Sequence, residues 1–122
     1  MKNIGGEKAE ELIGKKLKKE FHKSFSKKNL IVRGISKEFD LVSDDNKIVV
    51  EVKSYKLGNV STKKAGYTTT RKWRLIGACV YLEKVKAKER ILALTNKELH
   101  EQFMKDAQAL FPTVAIRYFK IS

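Results

Sequence analysis

Residues 38–53, EFDLVSDDNKIVVEVK, contain the sequence signals of a β-hairpin. Residues 47–55 alternate apolar and polar side chains, which predicts a strand, and residues 38–43 have the composition of a second strand. The residues between these two segments are rich in aspartate and asparagine, which favour turns. We therefore predict a β-hairpin in which Asp45 and Asn46 form a two-residue turn.

This hairpin places two acidic side chains opposite each other. A turn at that position pairs Asp40 directly with Glu51, with β-carbons expected ~5 Å apart. Glu51 and Lys53 are two residues apart on one strand and share a face, whereas Val50 and Val52 face a core. Facing carboxylates repel unless a cation lies between them, and hard oxygen ligands suit Mg²⁺ or Mn²⁺. The hairpin thus predicts a metal site.

The same spacing also suits an ordinary amphipathic hairpin with a solvated polar face, on which Lys53 partly neutralises both carboxylates. The distribution of charge favours the metal site over the solvated face, because the carboxylate pair is followed by a segment, residues 53–82, that contains no Asp or Glu. Solvated surfaces usually contain both positive and negative side chains. A segment with positive side chains alone therefore indicates a polyanionic partner that is brought to the metal. Tyr55, Tyr67 and Trp73 are interleaved with its cations. Besides Lys53, the cations predicted to contact nucleic acid are Lys56, Lys63, Lys64, Arg71, Lys72 and Arg74.

The segments on both sides of the hairpin predict an α/β domain. An apolar stripe predicts a helix over residues 7–26, and a β-branched run predicts a strand over 30–35. After the hairpin we expect a loop over 58–70 and then a helix over 71–84 with Trp73, Ile76 and Val80 on its apolar face. A strand over 90–95 follows. The next helix begins with a Thr95–Glu98 capping box and bears Leu99, Phe103, Ala107 and Leu110, and an edge strand over 114–121 ends the domain. The order is αβββαβαβ in one domain over residues 1–122, with a central mixed sheet flanked by helices.

The second helix can begin in two places. If it begins at Arg71, the cations Arg71, Lys72 and Arg74 lie in its first turn, where the helix dipole disfavours positive charge. Threonine hydroxyls of residues 68–70 would then join them in an anion site. If the helix begins near Gly66, the same cations lie in its middle. The sequence allows both arrangements.

Composition and charge narrow the class of partner. The chain has 122 residues, with 27 Lys and Arg against 14 Asp and Glu, a net charge of +13 that favours phosphate-bearing partners. The single cysteine excludes an intramolecular disulfide, and Cys79 between apolar neighbours suits a core. Without a signal peptide or an apolar span, we expect a cytoplasmic protein with no membrane partner. The high Lys and Glu content also suits a thermophile.

The hairpin and the helix before it resemble the PD-(D/E)xK nuclease superfamily. The resemblance rests on Phe39-Asp40, followed eleven positions after the aspartate by Glu51-Val52-Lys53. Phe39 stands where the superfamily name has proline. Within the superfamily, residues 5–12, GGEKAEEL, and the segment Glu51-Val52-Lys53-Ser54 resemble the archaeal Holliday-junction resolvases. In element order the resemblance covers residues 5–85.

The resemblance implies a fold, an activity and partners. The fold is restriction-endonuclease-like, an αβββαβ core with a C-terminal helix and strand added. The activity is hydrolysis of DNA phosphodiester bonds with Mg²⁺, or with Mn²⁺ in its place. The partners are double-stranded or branched DNA and a second copy of the chain, since two active sites are needed to cut two strands.

The resemblance also assigns roles to residues. Asp40, Glu51 and the Val52 carbonyl would ligate the divalent metal, and Lys53 would orient or stabilise the attacking water. An acidic residue on the first helix would complete the catalytic set, and Glu10 is the expected one. The competing residues on that helix are Glu7 and Glu11.

Two other function classes fit the same sequence. One is a nucleic-acid-binding module, for DNA or RNA, that keeps the nuclease scaffold and binds without cutting. The other is a lysine-rich adaptor that binds proteins. Asp40, Glu51 and Lys53 argue against both, because loss of activity removes the reason to hold two carboxylates together.

Overall fold

The computed structural model describes residues 6–54 and 69–121. Its element order is αβββαβαβ, as predicted. None of the helices in these residues is long and apolar enough to cross a membrane. The elements are α1 (Gly6–Phe21), β1 (Phe25–Val32), β2 (Ile35–Ser43), β3 (Ile48–Lys53), α2 (Thr69–Lys84), β4 (Glu89–Leu94), α3 (Lys97–Ala107) and β5 (Ala115–Tyr118).

The strands form one mixed sheet in the order β1-β2-β3-β4-β5. Pairing is antiparallel from β1 to β3 and parallel from β3 to β5. The parallel pairs need crossover connections, which contain α2 and α3. The α/β class, the mixed sheet and the edge position of the last strand are therefore confirmed.

Helices cover both faces of the sheet. Residues of α1, including Ile13 and Leu17, pack with Val50 and Val52 on one face. Helices α2 and α3 pack with Val49 on the other face. Because β3 lies between these layers, it is buried along nearly its whole length. The prediction that Val50 and Val52 face a core is confirmed, but the opposite face of β3 also packs against helices.

The first helix is shorter than predicted. It ends at Phe21, and the chain turns at His22, whose φ of 58° is left-handed. Phe25 then begins β1, and its ring lies 6.3 Å from that of Phe21. Phe25 follows Phe21 by four residues, the spacing of one helical turn, and both pack in the apolar cluster of α1. This spacing led to the prediction of a helix where the chain has begun a strand. The strand predicted over residues 30–35 accordingly begins at Phe25 and ends at Val32, before a turn at Arg33 and Gly34.

The buried face of α2 is not the predicted one. Trp73 is 63% exposed and Val80 is 42% exposed, while Ile76 is half-buried. Small and aliphatic side chains face the sheet instead, and these are Leu75, Ala78, Cys79 and Leu82. The sequence of α2 contains two sets of apolar residues at helical spacing. The prediction chose the set that contains Trp73 because of the size of that side chain, and the other set faces the sheet.

The start of α2 brings Arg71 and Lys72 into its first turn, where no acidic residue lies. The two threonines before them are helical, so the predicted loop ends before Thr69. The rest of that loop, together with Lys56, lies outside the described residues.

The β2–β3 turn differs from the prediction in its central residues. Asn46 N donates to Ser43 O at 2.9 Å, which makes Asp44 and Asp45 the central pair. Asn46 follows in the left-handed region at a φ of 62°. The hydroxyl of buried Ser43 accepts from Ile48 N at 2.9 Å. Four residues, 44–47, therefore connect β2 and β3, two more than expected, and the strand register is the predicted one.

The cap of α3 is Asn96 and not Thr95. The Asn96 side chain accepts from Leu99 N at 2.9 Å, whereas Thr95 Oγ1 lies 3.3 Å from Ser54 Oγ at the end of β3. The predicted apolar residues Leu99, Phe103 and Ala107 are buried. Leu110 lies beyond the helix and is 63% exposed.

The cap assignment predicts that Asn96→Ala lowers the free energy of unfolding by about 1 kcal/mol, because a helix N–H loses its acceptor. Asn96→Asp keeps that acceptor and should match the parent. Urea denaturation of the three proteins measures the difference. An alanine variant as stable as the parent would contradict the assignment.

Candidate metal centre

The carboxylates of Asp40 and Glu51 fill a gap between β2 and β3. The two strands pair at Val42–Val49 and Leu41–Val50, and beyond these pairs side chains replace the backbone ladder. Asp40 N donates to Glu51 Oε1 at 3.1 Å, and Val52 N donates to Asp40 Oδ2 at 2.8 Å. Each carboxylate therefore accepts from the backbone of the opposite strand. The structure brings Asp40 and Glu51 together, in the register that the sequence predicted.

A β-bulge in β2 turns Asp40 toward α1. Ser26 pairs with Val42 and Lys28 with Phe39, so two residues of β2 lie opposite Lys27 alone. Such a bulge re-aims a side chain and ends regular pairing. Asp40 consequently lines an open cleft together with Lys27 and with residues of α1.

Glu51 is the buried member of the pair, only 4% exposed. Burial first, and the Asp40 charge second, raise its pKa. The Lys37 ammonium opposes this increase, since its Nζ lies 2.9 Å from Glu51 Oε2. The same ammonium lies 5.1 Å from the centre of the Phe39 ring and 5.6 Å from that of Tyr81. The alternative of a solvated polar face is therefore wrong for Glu51.

Of the three candidate glutamates on α1, the structure brings Glu10 to the site. Gly14, one turn later, lies so close to β2 that a β-carbon there would be 3.5 Å from Leu41 Cδ2. Glu10 lies beside Asp40; burial and that carboxylate raise its pKa, and the ion pair with Lys27 at 3.3 Å lowers it in part. Glu7 and Glu11 are exposed, and Glu11 pairs with lysines of its own helix.

The catalytic lysine of the resemblance does not contact Glu51 here. Lys53 is half-buried at the end of β3, where its backbone pairs with Leu94 of β4; within residues 6–54 and 69–121 its side chain has no ion-pair or hydrogen-bond partner. Lys37 holds the carboxylate instead. Sequence reasoning missed Lys37, because in a hairpin without a bulge Lys37 and Phe39 would face the same side as Val52. The bulge in β2 places Phe39 on the side of Val49 instead, and Lys37 with it. Lys27 was missed for the same reason, because it lies opposite that bulge.

The residues of the gap fit a hard divalent cation. Two carboxylates meet there with Glu10 beside them, and their repulsion contributes to the raised pKa of both Glu10 and Glu51. A cation between them would remove that repulsion, and oxygen ligands suit Mg²⁺ or Mn²⁺. The described residues contain no preformed group of three or more His, Cys, Asp or Glu side chains around one metal position. Asp40, Glu51 and the Val52 carbonyl would need water to complete the coordination.

The predicted nucleic-acid contacts are only partly described. Arg74 is exposed, Arg71 is half-buried, and Lys72 Nζ lies 3.6 Å from Asp106 Oδ2 of α3. One cation of the segment over residues 53–82, which has no acidic residue of its own, is therefore paired with a carboxylate from a distant part of the chain. The positions of Lys56, Lys63 and Lys64 lie outside the described residues.

Cys79 and the two histidines have structural surroundings. Burial, and then Glu83, raise the pKa of Cys79 to about 12, so its thiol is a poor nucleophile. His100 Nε2 contacts Ile116 O at 3.0 Å, and His22 N donates to Lys18 O at the end of α1. The prediction that Cys79 is a core residue is confirmed.

Comparison of the chain with protein-family models, with curated proteins and with solved structures finds no match. The restriction-endonuclease-like fold type and the nuclease resemblance therefore stay predictions.

The raised pKa of Glu51 predicts how stability depends on pH. A carboxyl group whose pKa is higher in the folded than in the unfolded protein favours unfolding once it ionises. In chelator, the free energy of unfolding should therefore fall as pH rises from about 4.5 through the raised pKa. Glu51→Gln should weaken this fall, and Glu10 should account for a remaining part. Urea denaturation across this pH range measures both.

Glu38→Gln is the matched control, because Glu38 is an exposed glutamate of β2. This variant should reproduce the pH dependence of the parent. Glu51→Gln with the parental pH dependence would contradict the assigned burial and charge repulsion at Glu51. Circular dichroism at each pH checks that every variant is folded before denaturant is added.

Proposed function

We propose that the protein is a metal-dependent endonuclease that hydrolyses DNA phosphodiester bonds on a restriction-endonuclease-like scaffold. The observation that carries this proposal is the meeting of Asp40 and Glu51 in the gap between β2 and β3, with Glu10 beside them. Asp40 and Glu51 accept backbone hydrogen bonds, but neutral amide side chains could do the same without the repulsion that three neighbouring carboxylates bring. A divalent cation and a phosphate explain their presence.

Each residue of the site has a part in this reaction. Asp40, Glu51 and the Val52 carbonyl would hold Mg²⁺ or Mn²⁺, which when bound acidifies a water molecule and neutralises charge on the scissile phosphate. Lys53 shares a face with Glu51, and we assign it to orienting that water or contacting the phosphate. Glu10 adds negative charge from the α1 side of the gap.

The charge of the chain supports DNA as the substrate. A net charge of +13 attracts a polyanion, and α2 begins with cations and no acidic residue. We assign DNA contact to Arg71, Lys72 and Arg74, and to the lysines at positions 56, 63 and 64. Four-way junctions and other branched DNA are the substrates that the resemblance favours. A homodimer would supply the two active sites needed to cut two strands.

One observation favours a second candidate, a module that binds nucleic acid without cutting it. The Lys37 ammonium already pairs with Glu51 at 2.9 Å, so this buried carboxylate has a positive partner without a metal ion. A protein that has lost its activity could keep its scaffold in this way. The two candidates differ in whether a divalent cation enters the gap.

Cleavage assays with Asp40→Asn separate the candidates. The parent should nick supercoiled plasmid or cut a synthetic four-way junction with Mg²⁺ or Mn²⁺, and should do neither in chelator. Asp40→Asn removes one charged metal ligand, so the rate should fall by at least ~100-fold. Its affinity for DNA in chelator should equal or exceed that of the parent, because a charge that repels phosphates is gone.

Asp44→Asn is the matched control, an exposed aspartate in the β2–β3 turn. It should cut at the parental rate. Parental activity in Asp40→Asn would contradict the role of Asp40 as a ligand. A parent that binds DNA but never cuts it, and whose melting temperature does not respond to either metal, would favour the binding module.

A further inference from the structure

The outer face of α2 exposes a large aromatic side chain. Trp73 is 63% exposed, and Val80, two helical turns later, is 42% exposed on the same side. The residues of α2 that face the sheet lie on its other side. Trp73 is the only tryptophan of the chain. Tryptophan combines a large apolar ring with a polar N–H and is enriched at binding interfaces, so its exposure beside Val80 makes this face a candidate binding surface.

The charge around Trp73 selects the kind of partner. Arg74 and the threonines at positions 69 and 70 are exposed beside it, and the first turn of α2 contains no acid. Lys72, the neighbour of Trp73 in sequence, pairs with Asp106 of α3. In a two-fold symmetric contact at this surface, a second copy would bring the same cations against it, whereas a phosphate backbone would be attracted to it. An indole beside a guanidinium suits a base next to its phosphate.

Helix α2 also connects this surface to the carboxylate gap. Tyr81 lies eight residues after Trp73, and its ring is 5.6 Å from the Lys37 ammonium that holds Glu51. Eight residues of helix advance ~12 Å along the axis. A nucleic-acid strand that runs along α2 from Trp73 would therefore come within a few nucleotides to Tyr81, next to the lysine that pairs with Glu51.

We propose that Trp73 is a stacking platform for an unpaired base, so that the DNA bound by this protein contains single-stranded nucleotides a few positions from the carboxylate gap. The placement of that gap at the cut site rests on the proposed nuclease function, whereas the stacking itself does not. The bases of an intact duplex hide their faces in the stack, which leaves Trp73 without a partner. Overhangs, gaps and branch points expose such faces.

Intrinsic fluorescence tests this directly, because all tryptophan emission comes from Trp73. The probes are oligothymidylate, a blunt duplex and the same duplex with a five-nucleotide overhang, all in chelator so that no strand is cut. Emission should be quenched by oligothymidylate and by the overhang, and should change little on the blunt duplex. Anisotropy of fluorescein-labelled DNA shows in each case that binding has occurred.

Affinity measurements with variants complete the test. Trp73→Ala should weaken binding of oligothymidylate by about 5- to 100-fold, the effect of removing one base–aromatic stack. Its affinity for the blunt duplex should change less than about twofold, and Trp73→Phe should retain part of the oligothymidylate affinity. Leu110→Ala is the matched control, because Leu110 is equally exposed at 63% but lies outside α2. It should bind all three probes like the parent.

Several results would overturn the proposal. Equal quenching by the blunt duplex would mean that Trp73 does not select unpaired bases. Unchanged emission with unchanged affinity in Trp73→Ala would remove Trp73 from the DNA surface. A parent dimer that becomes monomeric in Trp73→Ala would assign the surface to a second copy. Quenching without any metal-dependent cleavage would support the platform and contradict the nuclease, whereas cleavage without quenching would do the reverse.

Discussion

The structure depends on how β2 and β3 satisfy their backbone donors where they stop pairing. Buried N–H groups need acceptors, and beyond Leu41 and Val50 these acceptors are side chains. Asp40 accepts from Val52 N, and Glu51 accepts from Asp40 N. The two carboxylates therefore hold the strands together at the point where they part. The proposed metal ligands and the local fold are the same interactions.

This constraint concentrates charge in a small volume. Three carboxylates and two lysines form a series of contacts with one lysine at each end, in the order Lys27, Glu10, Asp40, Glu51 and Lys37. The terminal lysines limit the repulsion among three carboxylates, so the site can exist without a metal ion. Because the carboxylates outnumber these lysines, the site keeps a net negative charge when all are ionised. A divalent cation would reverse that charge and make the site attractive to phosphate.

Much of this arrangement could be predicted from local patterns. Strand alternation and turn composition gave the pairing of Asp40 with Glu51, although the turn centres on Asp44 and Asp45. The element order followed in the same way from periodicity. Local patterns failed where a distant contact decides the outcome. The spacing of Phe25 suggested helix because this strand residue packs with α1.

The functional details that sequence reasoning missed also depend on tertiary contacts. Lys37 reaches Glu51 across the sheet, and its ammonium lies over the ring of Tyr81 from α2. The exposed face of α2 could not be recognised before it was known which stripe faces the sheet. The three candidate glutamates on α1 looked alike in sequence, and the contacts of Glu10 with Asp40 and with Lys27 of β1 distinguish it.

Anomalous diffraction from crystals grown with Mn²⁺ would show whether the gap between β2 and β3 binds a divalent cation. We expect one anomalous peak bounded by the carboxylates of Asp40 and Glu51 and the carbonyl of Val52. We also expect the Lys37 ammonium to have moved away from Glu51 Oε2. Crystals without a peak in the gap, in which Lys37 and Glu51 remain paired, would contradict the proposed cation site.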